Sequence, residues 1–233
     1  MLGFAHQVSI MNIVAFNGSP RRKGNTSLLL HELLRGAHDA GAQTEEIIAE
    51  NLNLKYCRGC LRCNRLQRCS IQDDDWQVLS QKIIAADVLV FASPVYFHHL
   101  TASLKKILDR FRSFIHVQIT ETGLKHTPWH SWQKQFVLVL SLGSSVDDDA
   151  RPIIDLFMFL TAMLGPANRL TPIVGTRLAV INQVLMTKDQ LRALYPKLKL
   201  PGALADVDYE RNKMLVQRCY HLGRELGLAG FLD

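Results

Sequence analysis

The stretch Asn12-Ile13-Val14-Ala15-Phe16-Asn17-Gly18-Ser19-Pro20-Arg21-Arg22-Lys23-Gly24-Asn25-Thr26-Ser27 decides the fold. Its first half is a short apolar run, and its second half is a polar loop that opens a helical pattern near Thr26. A buried strand that breaks into such a loop and then starts a helix makes an anion pocket. Unpaired N–H groups and the positive end of the helix dipole converge there. Gly18 and Gly24 permit tight turns, and Ser19, Asn25, Thr26 and Ser27 offer short side-chain donors. Arg21, Arg22 and Lys23 add positive charge. The stretch reads as a phosphate site, with an ordinary helix N-cap on Asn25 or Thr26 as the bland alternative. Neither Gly-x-x-x-x-Gly-Lys-Ser/Thr nor Gly-x-Gly-x-x-Gly is present.

Strand and helix patterns alternate outward from this point. Strand one is Asn12 to Asn17, followed by an amphipathic helix from Ser27 to Ala40 that Gly41 closes. Gln43 to Ile48 reads as strand two, and Trp76 to Ala86 as a helix. The continuous apolar run from Asp87 to Ala92 suits a buried parallel strand. A helix from Leu100 to Phe114, a fourth strand from Gln135 to Ser141 and a helix from Arg151 to Leu164 follow. The fifth strand is expected within Pro172 to Ile181, and Asp208 to Leu226 closes the chain as a helix. The expectation is α/β: a doubly wound five-stranded parallel sheet, flavodoxin-like, in the order 2-1-3-4-5, with three α/β/α layers. Residues 1–11 read as an N-terminal extension and 12–233 as one domain. The stretch 185–207 fits no βα unit and reads as an insertion, a lid or a subunit contact, the contact including Trp129 and Trp132.

Gly-Ser-Pro-Arg followed by Asn-Thr is similar to the phosphate loop of flavodoxin-like FMN reductases. Two further stretches carry the resemblance: Ser93-Pro94-Val95-Tyr96 with Leu104-Lys105 and Asp109-Arg110 after it, and Ser141-Leu142-Gly143-Ser144-Ser145 after strand four. In a doubly wound sheet these loops emerge at one carboxyl edge. The resemblance implies FMN held by Ser19, Arg21, Asn25, Thr26 and Ser27 at the phosphate. Ser93, Pro94, Val95, Tyr96, Phe97, Gly143 and Ser144 would then lie along the ring. His98 and His99 read as loop histidines near the flavin edge, and Asp147 to Asp149 as caps of the next helix.

Four of the five cysteines crowd into one loop, Cys57, Cys60, Cys63 and Cys69, spaced C-x2-C-x2-C-x5-C within the segment 55–75. Zinc sites usually pair two C-x-x-C knuckles across a longer gap. Three cysteines at successive three-residue steps suit the compact loops that wrap a [4Fe–4S] cluster. The segment resembles the iron–sulfur flavoproteins, a branch of the same superfamily, including the acidic stretch Asp73 to Asp75. That resemblance implies these four cysteines as cluster ligands. Free thiols packed near the flavin or an interface remain the alternative. Cys219 reads as a small buried apolar residue.

The bulk numbers agree. The chain has 233 residues, 48% hydrophobic and 21% charged, which suits one folded domain. No apolar run approaches the ~20 residues of a membrane span. The first ten residues lack a basic n-region with a long apolar core, so the cytoplasm is the default location. The net charge is +6 and the pI about 9.2. The basic residues are scattered without an aromatic-interleaved stripe, so neither nucleic acid nor a membrane is the expected partner.

The leading reading is therefore an FMN-dependent oxidoreductase passing electrons between flavin and a [4Fe–4S] cluster or an external carrier. The donor is NAD(P)H or a ferredoxin-type protein, the acceptor a small molecule or carrier, and the resemblance implies a homodimer or homotetramer. A cluster-free NAD(P)H-dependent FMN or quinone reductase is the second reading. A flavin-binding redox sensor without turnover is the third. No residue is assigned a catalytic role, because the flavin carries the chemistry.

Overall fold

Apolar residues occupy both parities of the central strands, so both faces of the sheet must be covered. A computed structural model describes residues 10–228. Residues 1–9, most of the expected extension, lie outside the described residues. In chain order the elements are β1 (Asn12–Asn17), α1 (Asn25–Asp39), β2 (Gln43–Ile48), α2 (Cys63–Leu66), α3 (Trp76–Ala85) and β3 (Val88–Pro94). Then come α4 (Ala102–Arg110), β4 (Ile115–Thr120), β5 (Gly123–Pro128), β6 (Gln135–Ser141) and α5 (Arg151–Leu164). Last are β7 (Arg169–Gly175), α6 (Lys188–Leu194) and α7 (Leu204–Leu228). The sheet order is β2-β1-β3-β6-β7, all parallel, which is the expected 2-1-3-4-5 when only sheet strands are numbered.

Parity divides the core in two. Ile13, Ala15, Val88, Val90, Val137 and Val139 pack with Leu29, Leu30 and Leu33 of α1 and Leu215 and Cys219 of α7. Val14, Phe16, Leu89, Phe91, Phe136 and Leu138 pack with Leu79 and Ile83 of α3, Leu104 and Ile107 of α4, and Ile153 and Phe157 of α5. Phe91 sits at the centre of the second layer, its ring 5.0 Å from Phe16 and 4.9 Å from Phe157. Each such fully buried side chain contributes roughly 1.5–3 kcal/mol. Glu45 and Glu46 lie on the exposed edge strand β2, where charge discourages pairing with another chain.

Several boundaries differ from expectation. The fifth sheet strand is Arg169–Gly175 and ends where Pro172–Ile181 had it continuing. Its last residue is Gly175, where a Cβ would stand 2.6 Å from Leu215 Cδ2 and 2.8 Å from Leu178 Cδ1. Thr176 onward becomes loop. Between α4 and β6 the chain inserts an antiparallel hairpin, β4–β5, in which Thr120 pairs with Gly123. The last helix starts at Leu204, so the end of the 185–207 stretch belongs to it. The rest of that stretch is a small satellite: α6 opens on a Thr187–Gln190 capping box, and Leu191, Tyr195 and Ala205 form their own core. Trp132 is not a subunit contact. It is 3% exposed and packs on Phe111 and Phe114. Asp147 to Asp149 form a short 3-10 turn before α5 whose N-terminus has no side-chain cap bond.

Candidate functional site

The loop between β1 and α1 is wound tightly by its own side chains. Asn17 Oδ1 accepts from Ser19 N at 2.9 Å, and Asn17 Nδ2 donates to Ser27 Oγ and Glu46 Oε1. The Arg21 carbonyl accepts from Gly24 N, Ser19 Oγ and Ser27 Oγ. Gly24 stands at the N-cap of α1, and no side chain caps the helix. Its first amides, those of Asn25, Thr26 and Ser27, therefore lack intrahelical acceptors. A Cβ on Gly24 would lie 3.0 Å from the Arg21 carbonyl oxygen and 3.1 Å from Ser19 Oγ, so a larger residue would crowd the loop that shapes this cradle. The cradle fits a phosphate monoester.

A cleft opens above it, lined by Ser19, Arg21, Asn25, Thr26, Pro94, Val95, Tyr96 and Gly143 among the expected residues. Val95 N donates to Ser141 O at 2.9 Å, which ties the second loop to the third. Tyr96 and His99 exchange backbone hydrogen bonds across a two-residue turn. Its central residues Phe97 and His98 have φ of 49° and 61°. Both are in the left-handed region, unusual for a bulky side chain and a mark of local strain. Phe97 stands fully exposed at the tip of this turn, beside the cleft.

Four expected residues do not line the cleft. Ser27 lies beneath it, committed to Asn17 and the Arg21 carbonyl. Ser93 is buried, with Oγ accepting from Thr101 N and donating to the Pro94 carbonyl. Phe97 projects from the turn, and Ser144 caps Val146 N while its carbonyl accepts from Arg177 N. Asn25 does line the cleft, but its amide is spent on the wall. Nδ2 donates to the Leu178 and Val180 carbonyls, and Oδ1 accepts from Val184 N at 2.9 Å.

That wall is the part the sequence reading missed. Leu178 and Ala179, in the loop after β7, line the cleft with Ser141 and Gly24. The rule that ligands sit beyond the carboxyl ends of the strands applied equally to this fifth loop. Arg177 anchors it from behind through Asp208, a fully buried carboxylate of α7. Burial pushes the Asp208 carboxyl up, but the Arg177 guanidinium and the Tyr195 hydroxyl more than offset this and hold it low.

The four loop cysteines ring a second cavity. Cys57, Cys60, Cys63 and Cys69 line it together with Arg110, Arg112 and Ser113. Among the described residues no three His, Cys, Asp or Glu side chains are arranged to hold a single metal ion. The donor set, four thiols around one space, suits a cluster that spreads its thiolates over the corners of a cube. Cys60 is exposed and its thiol is lowered, chiefly by the Ser70 hydroxyl. Burial pushes the Cys63 thiol up, against the opposing charge of Arg112. Asp74 and Arg110 form an ion pair whose side chains are both wholly buried, and Arg110 also donates to the Lys55 carbonyl at 2.8 Å. This pair fastens the cysteine loop to the end of α4. The sequence signal was Arg110 itself, a charge on the same helical face as Leu104 and Ile107.

Comparison with known proteins agrees with this arrangement. The profile of the family described as NADPH-dependent FMN reductase matches residues 11–175. An iron–sulfur flavoprotein of Methanocaldococcus jannaschii is 39% identical over 102 residues, 44% of this chain and 52% of that one. One from Methanosarcina thermophila is 33% identical over 100 residues, 43% of this chain and 52% of its own. The chain thus matches about half the length of these relatives. By structure, an azoreductase from Bacillus anthracis superposes with TM-score 0.62 at 13% identity, covering 93% of this chain and 100% of that one. An NAD(P)H:quinone oxidoreductase from Methanothermobacter marburgensis gives 0.62 at 17% identity, covering 94% and 100%. At such identities these two speak for the flavodoxin-like fold alone. Among the described residues no helix is long and apolar enough to cross a membrane. With a family profile that matches residues 11–175, most of its length, this chain belongs to the NADPH-dependent FMN reductase family.

Proposed function

We propose that the protein is an FMN-dependent oxidoreductase of the iron–sulfur flavoprotein type, acting in the cytoplasm as a homodimer or homotetramer. The observation that carries the reading is the start of α1, a helix end with no side-chain cap at the floor of a cleft. The amides of Asn25, Thr26 and Ser27 and the hydroxyls of Ser19 and Thr26 would hold the phosphate, with Arg21 balancing its charge. Backbone groups of Pro94, Val95 and Tyr96 meet the ring edge, Gly143 leaves room for it, and Leu178 and Ala179 close the opposite wall. When bound, FMN supplies hydride and single-electron transfer, and a [4Fe–4S] cluster on Cys57, Cys60, Cys63 and Cys69 supplies single-electron exchange. NAD(P)H or a ferredoxin-type carrier is the electron donor. What the chain itself contributes is orientation, charge compensation and exclusion of water.

Anaerobic purification with flavin, iron and acid-labile sulfide counted per chain tests this. One FMN with roughly four irons and four sulfides is the expected result, that being the content of one [4Fe–4S] cluster. Flavin without iron would favour the cluster-free NAD(P)H-dependent FMN or quinone reductase, and flavin without turnover the redox sensor. Colourless protein that takes up no FMN would overturn the oxidoreductase reading.

A further inference from the structure

Two arginines line the cysteine cavity, one with a buried donor left unpaired among the described residues and one with no carboxylate partner among them. Arg110 is 1% exposed, and Asp74 takes both of its terminal nitrogens. Its Nε is nevertheless buried without a hydrogen-bond partner among the described residues. A guanidinium placed only to neutralise Asp74 would leave that donor stranded, at a real desolvation cost. Arg112 stands two residues on, half-buried, with Nη1 donating to Cys63 Sγ at 3.4 Å and to the Ile115 carbonyl, and Nη2 donating to Asn64 Oδ1. Every one of these acceptors is uncharged while Cys63 remains a thiol, so Arg112 is a cation without an anion among the described residues. Arg58, Arg62, Arg65 and Arg68 on the same loop are exposed, where water and salt screen their charge. Arg110 and Arg112 are not screened in this way.

We infer that Arg110 and Arg112 are positioning residues for an anionic thiolate group in this cavity, the Nε of Arg110 and the guanidinium of Arg112 offsetting its charge and raising the potential at which it is reduced. The inference rests on the proposed [4Fe–4S] site and goes further, since it assigns the counter-charge to two particular side chains. A group bound by four thiolates is net anionic in its oxidised form and more so when reduced. Nearby fixed cations favour the reduced form, and net charge and hydrogen bonds to sulfur are what set cluster potentials. Free thiols, being neutral, would leave the Nε of Arg110 and the guanidinium of Arg112 with no charge to answer.

The test uses the full chain, purified anaerobically, with iron and sulfide counted and the visible spectrum titrated against potential. Arg112→Gln keeps a donor but removes the charge. It is expected to load wild-type iron yet show an about tenfold lower ratio of reduced to oxidised centre at the wild-type midpoint, equivalent to about 59 mV for a one-electron couple. Arg112→Lys is expected to restore most of that loss. Arg110→Lys preserves the charge opposite Asp74 but not Nε, and is expected to load at most half the wild-type iron with an unchanged circular dichroism spectrum. An iron-loaded wild type whose potential is unmoved in Arg112→Gln, together with full loading of Arg110→Lys, would overturn this inference alone. Wild-type protein that holds flavin and no iron would overturn the cluster reading as well.

Discussion

The hydroxyls of Thr26 and Ser141 lie 2.6 Å apart, joining the first turn of α1 to the end of β6 across the floor of the cleft. Both are buried, and Ser141 has no other side-chain bond among the described residues. In the proposed complex the Thr26 hydroxyl turns to the phosphate, and Ser141 holds it in the rotamer that does so. A hydrogen bond to a charged group contributes about 1.5–3 kcal/mol. Thr26→Val is therefore expected to weaken FMN binding about ten- to a hundredfold, with Ser141→Ala weaker by less than about fivefold. Riboflavin, which lacks the phosphate, should bind both variants as it binds the wild type. Flavin fluorescence titration reads all of these, and equal losses for FMN and riboflavin would remove Thr26 from the phosphate site.

Phe97 couples stability to flavin handling with opposite signs. Its left-handed backbone suits asparagine far better than phenylalanine, and its ring touches solvent on all sides. Phe97→Asn is expected to stabilise the protein by about 0.5–1 kcal/mol in urea unfolding, through relief of that strain. In the proposed complex the exposed ring folds over the flavin's edge from its place beside the cleft, so the same change should weaken flavin binding or speed flavin loss. Gain of stability with unaltered flavin affinity would reduce Phe97 to an exposed turn residue.

What the sequence made legible, and what it hid, follows from how local each signal is. The run Ile13 to Phe16 and the loop after it are local, and they fixed β1, the phosphate cradle and the parallel sheet together. β2, β6 and α5 coincide with their expected bounds for the same reason. The hairpin was visible in the alternation Ile115-His116-Val117-Gln118-Ile119, but a reading organised around βα units passes over an antiparallel insertion. Ala179 and Leu178 carry no chemical signature. They reach the cleft only because Asn25, more than 150 positions away, holds their carbonyl chain, and such a contact is not written in any window of sequence. Arg110 was legible as part of Asp109-Arg110, one of the stretches that carry the family resemblance, but its pairing with Asp74 needed the fold.

Gly223 of α7 packs directly on α1, where a Cβ would stand 1.9 Å from the Leu33 carbonyl oxygen, and Gly36 makes the reciprocal approach at 2.0 Å to the Tyr220 carbonyl. The obstacle is backbone, which cannot rotate away. Gly223→Ala must therefore pry the two helices apart, and a loss of roughly 2–4 kcal/mol is expected from equilibrium urea unfolding. Gly41→Ala provides the contrast. That residue has φ of 93° with open space around it, so only backbone strain of about 1 kcal/mol is expected. Similar losses for the two would mean that the α1–α7 contact is looser than its geometry.

The Tyr195–Asp208 contact gives the stability curve a shape at both ends of the pH scale. The Tyr195 hydroxyl donates to Asp208 Oδ2, and burial, reinforced by that carboxylate, pushes the phenol up to about 12. Between pH ~10, where an unfolded tyrosine ionises, and pH about 12, the folded state binds more protons than the unfolded one, so stability falls as pH rises. Asp208 works in the other direction. Its carboxyl is held low in the folded protein, so its contribution is present above pH ~4 and is lost as pH drops further. Tyr195→Phe should cost about 1 kcal/mol near neutrality by removing a donor from a buried carboxylate. It should also flatten the alkaline limb by roughly 1–2 kcal/mol across that window. Urea midpoints of wild type and variant from pH 8 to 12 measure the difference, with all other titrating groups common to both. Parallel curves would show that Tyr195 ionises as freely in the folded protein as in the unfolded chain, and that the wall behind Leu178 and Ala179 is not held by this buried network.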